Sequence, residues 1–175
     1  MNLYIARHGE TEWNYQDIIL GRTDIPLNER GIGQAEALAK KVPDNIDLII
    51  ASPLQRALAT ARIIADENHI PYIIDERLVE MDFGTYEGKP RSDESYNTEK
   101  RKFFAKYPEG ESYLQVAQRV YNFLDDVISK HHDKDILVVA HNGICRVINT
   151  YFNNIDNEDF ATYTVQNCEI IKYRI

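Results

Sequence analysis

The pentapeptide Arg7-His8-Gly9-Glu10-Thr11 sets a guanidinium beside an imidazole. A neutral imidazole can attack phosphorus as a nucleophile. A guanidinium offers planar, paired donors that match phosphoryl oxygens. Gly9 has no side chain, so a ligand can approach the backbone closely there. Arg56 and His141 supply further donors of the same kind. Glu80 is a carboxyl able to protonate a leaving oxygen and then take a proton from water. Cleaving a phosphomonoester needs positioning, charge stabilisation and a proton for a poor alkoxide leaving group. These five side chains have the right types for each task. Asp82 and Glu87 are the rivals of Glu80, and a nearby phosphate dianion favours the protonated form of a carboxyl.

Three apolar runs must position these groups. Leu3-Tyr4-Ile5-Ala6 precedes Arg7-His8, Asp47-Leu48-Ile49-Ile50 precedes Arg56, and Ile136-Leu137-Val138-Val139-Ala140 precedes His141. Each reads as a strand followed by a helix. In a parallel sheet of such units the strand ends lie on one edge, where ligands bind. The basic residues then converge although about 130 positions separate the first from the last. That convergence predicts an anion site in an α/β fold.

The intervening helices have recognisable signals. Asn28 caps a helix ending near Lys41, and Ser52 with Pro53 at the first position opens one running to about Glu67. Arg56 falls in the first turn of the latter, where a cation is unfavourable unless an anion lies nearby. Ser112 and Gln115 form a capping box for a helix to about Lys130. Tyr72-Ile73-Ile74 is a third strand, and a helix is expected over 144–152. Residues 101–107 are read as a helix, and 89–108 as a lid or insertion. Tyr163-Thr164-Val165 and Glu169–Arg174 read as an antiparallel edge pair. If residues 78–82 are extended, Glu80 and Asp82 share a face.

With 175 residues, 43% of them hydrophobic and 27% charged, the chain is expected to be a single soluble domain spanning 1–175. A formal net charge of −8 argues against nucleic acid or an anionic membrane as partner. The expected partner is a small phosphorylated substrate, drawn in by local cations. Arg7 and His8 interrupt the first apolar run, so no secretory signal is expected, and no run is long enough to span a membrane. The expectation is a cytoplasmic protein with reduced thiols at Cys145 and Cys168. Cys145 is read as helix core.

Several other motifs fail. Gly84-Thr85-Tyr86-Glu87-Gly88-Lys89-Pro90 has three residues between its glycines and a Pro after the Lys, so it is no P-loop. Gly31-Ile32-Gly33 lacks a preceding strand and a third glycine. The histidines show no metal-ligand spacing, and two imidazoles beside two guanidiniums make a poor cation site, so no metal or cofactor is expected.

At this point the residues support a resemblance to a known family. Arg7-His8-Gly9-Glu10-Thr11, Trp13-Asn14, Gly21-Arg22-Thr23-Asp24, Ser52-Pro53-Leu54-Gln55-Arg56-Ala57, Leu78-Val79-Glu80 through Gly84 with Glu87-Gly88, and His141-Asn142-Gly143 together resemble the histidine phosphatase superfamily, in order and over nearly the whole chain. The resemblance implies a three-layer α/β/α sandwich of the phosphoglycerate-mutase type, with a mostly parallel sheet. It implies His8 as the phosphorylated residue, Arg7, Arg56 and His141 as the phosphate pocket, and Glu80 as the acid/base. It also implies Asn14, the Gly21 loop and the Asn142 backbone as substrate-binding elements.

The mutase branch carries Thr-Gly where this chain has Leu20-Gly21. It carries Glu-Arg-His-Tyr-Gly where this chain has Glu80-Met81-Asp82-Phe83-Gly84. Met81 and Phe83 supply neither the charge nor the hydroxyl with which that branch holds a carboxylate. The expected function is therefore a metal-independent phosphomonoesterase. The alternatives are a 2,3-bisphosphoglycerate-dependent phosphoglycerate mutase or an α-ribazole phosphatase. Oligomeric state is not readable, although a C-terminal edge strand offers a route to a dimer.

Overall fold

Every residue of Ile136–Ala140 is apolar and buried, as a strand covered on both faces must be. The computed structural model describes residues 1–175, and this strand is the middle of its sheet. The strands are β1 (Asn2–Arg7), β2 (Leu48–Ala51), β3 (Tyr72–Ile74), β4 (Ile136–Ala140) and β5 (Ile170–Arg174), in the order β3-β2-β4-β1-β5. β1 and β2 flank β4 in parallel, β3 continues parallel to β2, and β5 runs antiparallel along β1.

The helices are α1 (Glu12–Tyr15), α2 (Glu29–Ala39), α3 (Gln55–Asn68), α4 (Glu94–Glu99), α5 (Tyr113–Lys130), α6 (Asn142–Phe152) and α7 (Asn157–Thr162). Strand alternation divides the core in two. Leu3, Ile5, Ile50, Ile136 and Val138 meet Val116, Val120, Phe123, Ile144 and Ile148 of α5 and α6. Tyr4, Ala6, Ile49, Leu137 and Val139 meet Leu38 of α2 and Ala57, Ala61 and Ile64 of α3. The result is the expected three-layer sandwich. No helix is long and apolar enough to cross a membrane.

Three expectations need correction. The second helix starts at Gln55, with Leu54 at its N-cap and no side-chain cap. Ser52 lies two residues before that cap; its hydroxyl contacts His141 at 2.7 Å and accepts from Leu54 N–H only at 3.4 Å, outside the helix. Residues 101–107 are not helical. Their backbone bonds to a later segment, Leu114 N–H to the Phe103 carbonyl and Tyr107 N–H to the Glu111 carbonyl. The helix in this region is α4, capped by Asp93, whose side chain accepts from Tyr96 N–H. Finally, 163–165 is not a strand. Val165 spends its N–H on the Asn142 side chain and its carbonyl on Arg7, leaving nothing for a ladder. The antiparallel edge is β5 against β1 alone.

The 89–108 segment is anchored through Tyr96 and Tyr107, both buried against Phe83 and Tyr86 with ring centroids 5.3–6.0 Å apart.

Candidate active site

The parallel register pairs Arg7 with Ala140 and Ala51 with Val139. His8, Ser52 and His141 therefore leave the sheet at the same edge. The His8 and His141 rings lie 5.1 Å apart, tilted by 59°. Both residues are buried.

His8 Nδ1 lies 2.6 Å from the Gly9 carbonyl oxygen. A carbonyl only accepts, so this contact assigns the proton to Nδ1 and leaves the Nε2 lone pair free. Burial, then the charges of Arg56 and Arg7, hold the imidazole well below the ordinary histidine value of 6.5. His8 is thus a neutral, oriented imidazole at neutral pH, with a lone pair on Nε2. His8 N–H donates to the Ala140 carbonyl and its own carbonyl accepts from Asn167, which fixes its backbone from two sides.

His141 is the N-cap residue of α6. Its Nε2 contacts the Ser52 hydroxyl at 2.7 Å, and its Nδ1 is buried without any partner. Burial and the Arg56 charge depress this imidazole strongly as well.

Arg56 is fully buried. Its Nη2 donates to the Gly21 carbonyl at 2.6 Å and its Nη1 to the Thr23 carbonyl at 2.9 Å, while its Nε has no partner. Arg7 is half-buried, donates from Nη1 to the Val165 carbonyl at 2.8 Å, and also keeps a buried, unpartnered Nε. Neither belongs to any ion pair of the protein. Burial lowers both to about 10, so both remain cations at neutral pH. A buried cation without a counter-charge is expensive. Arg56 and Arg7 beside one imidazole can form a socket for an anion.

Glu80 is buried, with Oε1 accepting from Met81 N–H at 2.8 Å and Oε2 from Gly143 N–H at 3.1 Å. Its carboxyl sits against the N-terminus of α6, and a Cβ at residue 143 would fall 2.5 Å from Glu80 Oε1. The rivals are occupied elsewhere. Asp82 accepts from Gly84 N–H, and Glu87 accepts from the backbone of Arg22, Thr23 and Phe83.

A family model described as "Histidine phosphatase superfamily (branch 1)" matches residues 3–175. The chain belongs to the histidine phosphatase superfamily. A Bacillus subtilis protein named "Uncharacterized phosphatase PhoE" is 35% identical over 165 residues, covering 94% of this chain and 83% of that one. A Yersinia pestis protein named "Probable phosphoglycerate mutase GpmB" is 36% identical over 149 residues, covering 81% and 69%. The solved phosphoserine phosphatase of Entamoeba histolytica, in complex with 3-phosphoglyceric acid, superposes with a TM-score of 0.85 at 29% identity, covering 98% of this chain and 89% of that one.

The remaining residues that the superfamily motifs single out are also near this hollow. Asn14 uses its Oδ1 in the cap of α1, contacting Thr11 N–H, which leaves its amide nitrogen free to donate. Asn142 uses its side-chain oxygen on Val165 N–H and the Thr164 hydroxyl, and its backbone N–H, at the first position of α6, is open to a ligand. Gly21 acts indirectly, through the carbonyl that holds Arg56. No three His, Cys, Asp or Glu side chains lie together as a metal site would need. Cys145 is buried and pushed up to about 12, as a core thiol.

Sequence reasoning missed Ser52 as the partner of His141, because a serine before a helix reads as a cap. It missed Asn167 entirely, and a lone asparagine in a loop carries no signal.

Two buried neutral histidines give a signed pH dependence. The unfolded chain binds protons on them below pH 6.5, whereas the folded chain does not, so stability is present above that value and lost as pH falls. With both contributing, the slope is roughly 3 kcal/mol per pH unit. Denaturant unfolding at pH 7.5, 6.0 and 5.0 should show this loss, and a His8→Ala/His141→Gln variant should show it much reduced. An equal slope in the double variant would contradict the assignment.

Proposed function

We propose that the protein is a phosphomonoesterase working through a phosphohistidine at His8, with residues 1–175 acting as one domain. The observation that carries this reading is two guanidiniums, buried Arg56 and half-buried Arg7, in no ion pair and each with a buried unpartnered Nε, beside a neutral imidazole with a free Nε2. Arg7, Arg56, the Asn14 amide, the Asn142 N–H and His141 bind the phosphoryl oxygens. Nε2 of His8 forms the N–P bond as the P–O bond to the alcohol breaks. The Nδ1–H contact to the Gly9 carbonyl stabilises the positive charge that develops on the ring. Glu80, protonated, gives its proton to the departing oxygen. Glu80 as carboxylate then takes a proton from the water that attacks phosphorus, and inorganic phosphate leaves as Nε2 regains its lone pair.

Hydrolysis is favoured over mutase activity because Met81 and Phe83 are buried in the core and cannot reach a substrate carboxylate. The 89–108 segment covers the leaving-group side. The substrate is a small phosphorylated metabolite.

The test is release of phosphate from p-nitrophenyl phosphate and from a panel of phosphorylated metabolites, alongside interconversion of 3- and 2-phosphoglycerate with 2,3-bisphosphoglycerate present. Hydrolysis without interconversion is expected. Rapid interconversion with little phosphate release would replace this reading with the mutase.

A further inference from the structure

Glu87 was a rival for proton transfer, yet its carboxylate faces away from that task. Oε1 accepts from Arg22 N–H at 2.8 Å and from Phe83 N–H at 3.3 Å. Oε2 accepts from Thr23 N–H at 2.8 Å and from the Thr23 hydroxyl. No cation pairs with it within ion-pair distance. One carboxylate therefore gathers the whole Gly21-Arg22-Thr23 turn. The two carbonyls that tether Arg56 are those of Gly21 and Thr23, the residues on either side of the gathered Arg22.

We propose that Glu87 is a positioning residue for the phosphate pocket: it fixes the turn whose carbonyls aim the Arg56 guanidinium. This deepens the phosphatase reading and rests on it for what Arg56 does there. A guanidinium has five N–H donors, and the carbonyls take two of them. The rest, including the unpartnered Nε, remain for an oxyanion. Bidentate recognition fails when the fork rotates, so the tether's shape matters as much as its charge. Against its burial, the charges of Glu80, then Asp24, then Glu87 help to keep Arg56 protonated. Gly21 belongs to the same device. A Cβ there would fall 2.1 Å from Glu87 Oε1 and 2.6 Å from the Met81 carbonyl, so only glycine lets the carboxylate close on the turn.

The far end of the turn has its own attachment. Asp24 accepts from Gln55 N–H at 2.9 Å, and its carbonyl accepts from the Gln55 side chain at 2.7 Å. Loss of Glu87 should therefore loosen the turn without detaching it.

The experiment is a double-mutant cycle read by orthovanadate binding, using Glu87→Gln, Arg56→Lys and the double variant of the full chain. The glutamine amide keeps one acceptor and presents a donor to the turn's N–H groups. Glu87→Gln alone should weaken vanadate about tenfold, the loss typical of one hydrogen bond to a charged group. In the Arg56→Lys background, where the fork is already gone, the same change should weaken it less than about twofold. Equal factors in both backgrounds, or no weakening in either, would overturn the proposal. If Glu87→Gln does not fold, Glu87→Asp in the same cycle decides by the same criterion. Vanadate titration needs no turnover, so it answers even if the hydrolysis assay defeats the phosphatase reading.

Discussion

Replacing His8 with alanine should lower kcat/KM for p-nitrophenyl phosphate by about 10,000-fold or more, the scale on which nucleophile removal acts. Neither nearby hydroxyl can take over. The Thr11 hydroxyl caps Asn14 N–H and the Ser52 hydroxyl is tied to His141. The one candidate substitute is His141, whose Nδ1 has no partner. Rapid quenching of the wild type with labelled substrate should trap phosphate in an acid-labile, base-stable bond on His8, and mass spectrometry locates it. His141→Ala should still form that adduct, more slowly. Label on residue 141, or turnover by His8→Ala near the wild-type rate, would sink the assignment.

Arg56→Ala should cost about a thousandfold in kcat/KM, from two charge-assisted hydrogen bonds at roughly 2 kcal/mol each. It should also change how the protein answers ligand. In the wild type an oxyanion would supply the ion-pair partner that buried Arg56 and half-buried Arg7 lack. At a hundred times its Kd, orthovanadate should stabilise the fold by about 2.7 kcal/mol. For a chain of this length that raises Tm by about 5–10 °C. Arg56→Ala should lose most of the rise at the same vanadate concentration. Thermal melts with and without vanadate measure it, and an unchanged rise would mean that the anion sits elsewhere.

The strands carrying the site were legible because β4 is an unbroken buried apolar run and β1 ends at a charge, patterns that periodicity reads directly. The convergence of Arg7, His8, Arg56 and His141 followed from parallel topology, since the strand-end rule is geometric. What could not be read was how polar groups share partners at short range. Ser52 looks like a cap and instead holds an imidazole. Glu87 looks like an acid and instead gathers a turn. Val165 looks like strand and instead closes over Arg7 and Asn142. Each case is decided by which neighbour competes for a donor or acceptor, and that neighbour is remote in sequence.

The hydrogen bonds that surround His8 and His141 span most of the polypeptide: 89 positions between Ser52 and His141, 159 between His8 and Asn167. Chain closure over such separations is slow compared with local helix formation. A nascent chain lacking β4 has the His8 imidazole but neither its opposite ring nor the strand that orients it. Enzymatic competence thus marks the completion of assembly, and a cell making this protein gains no premature hydrolase from partly synthesised or half-collapsed molecules.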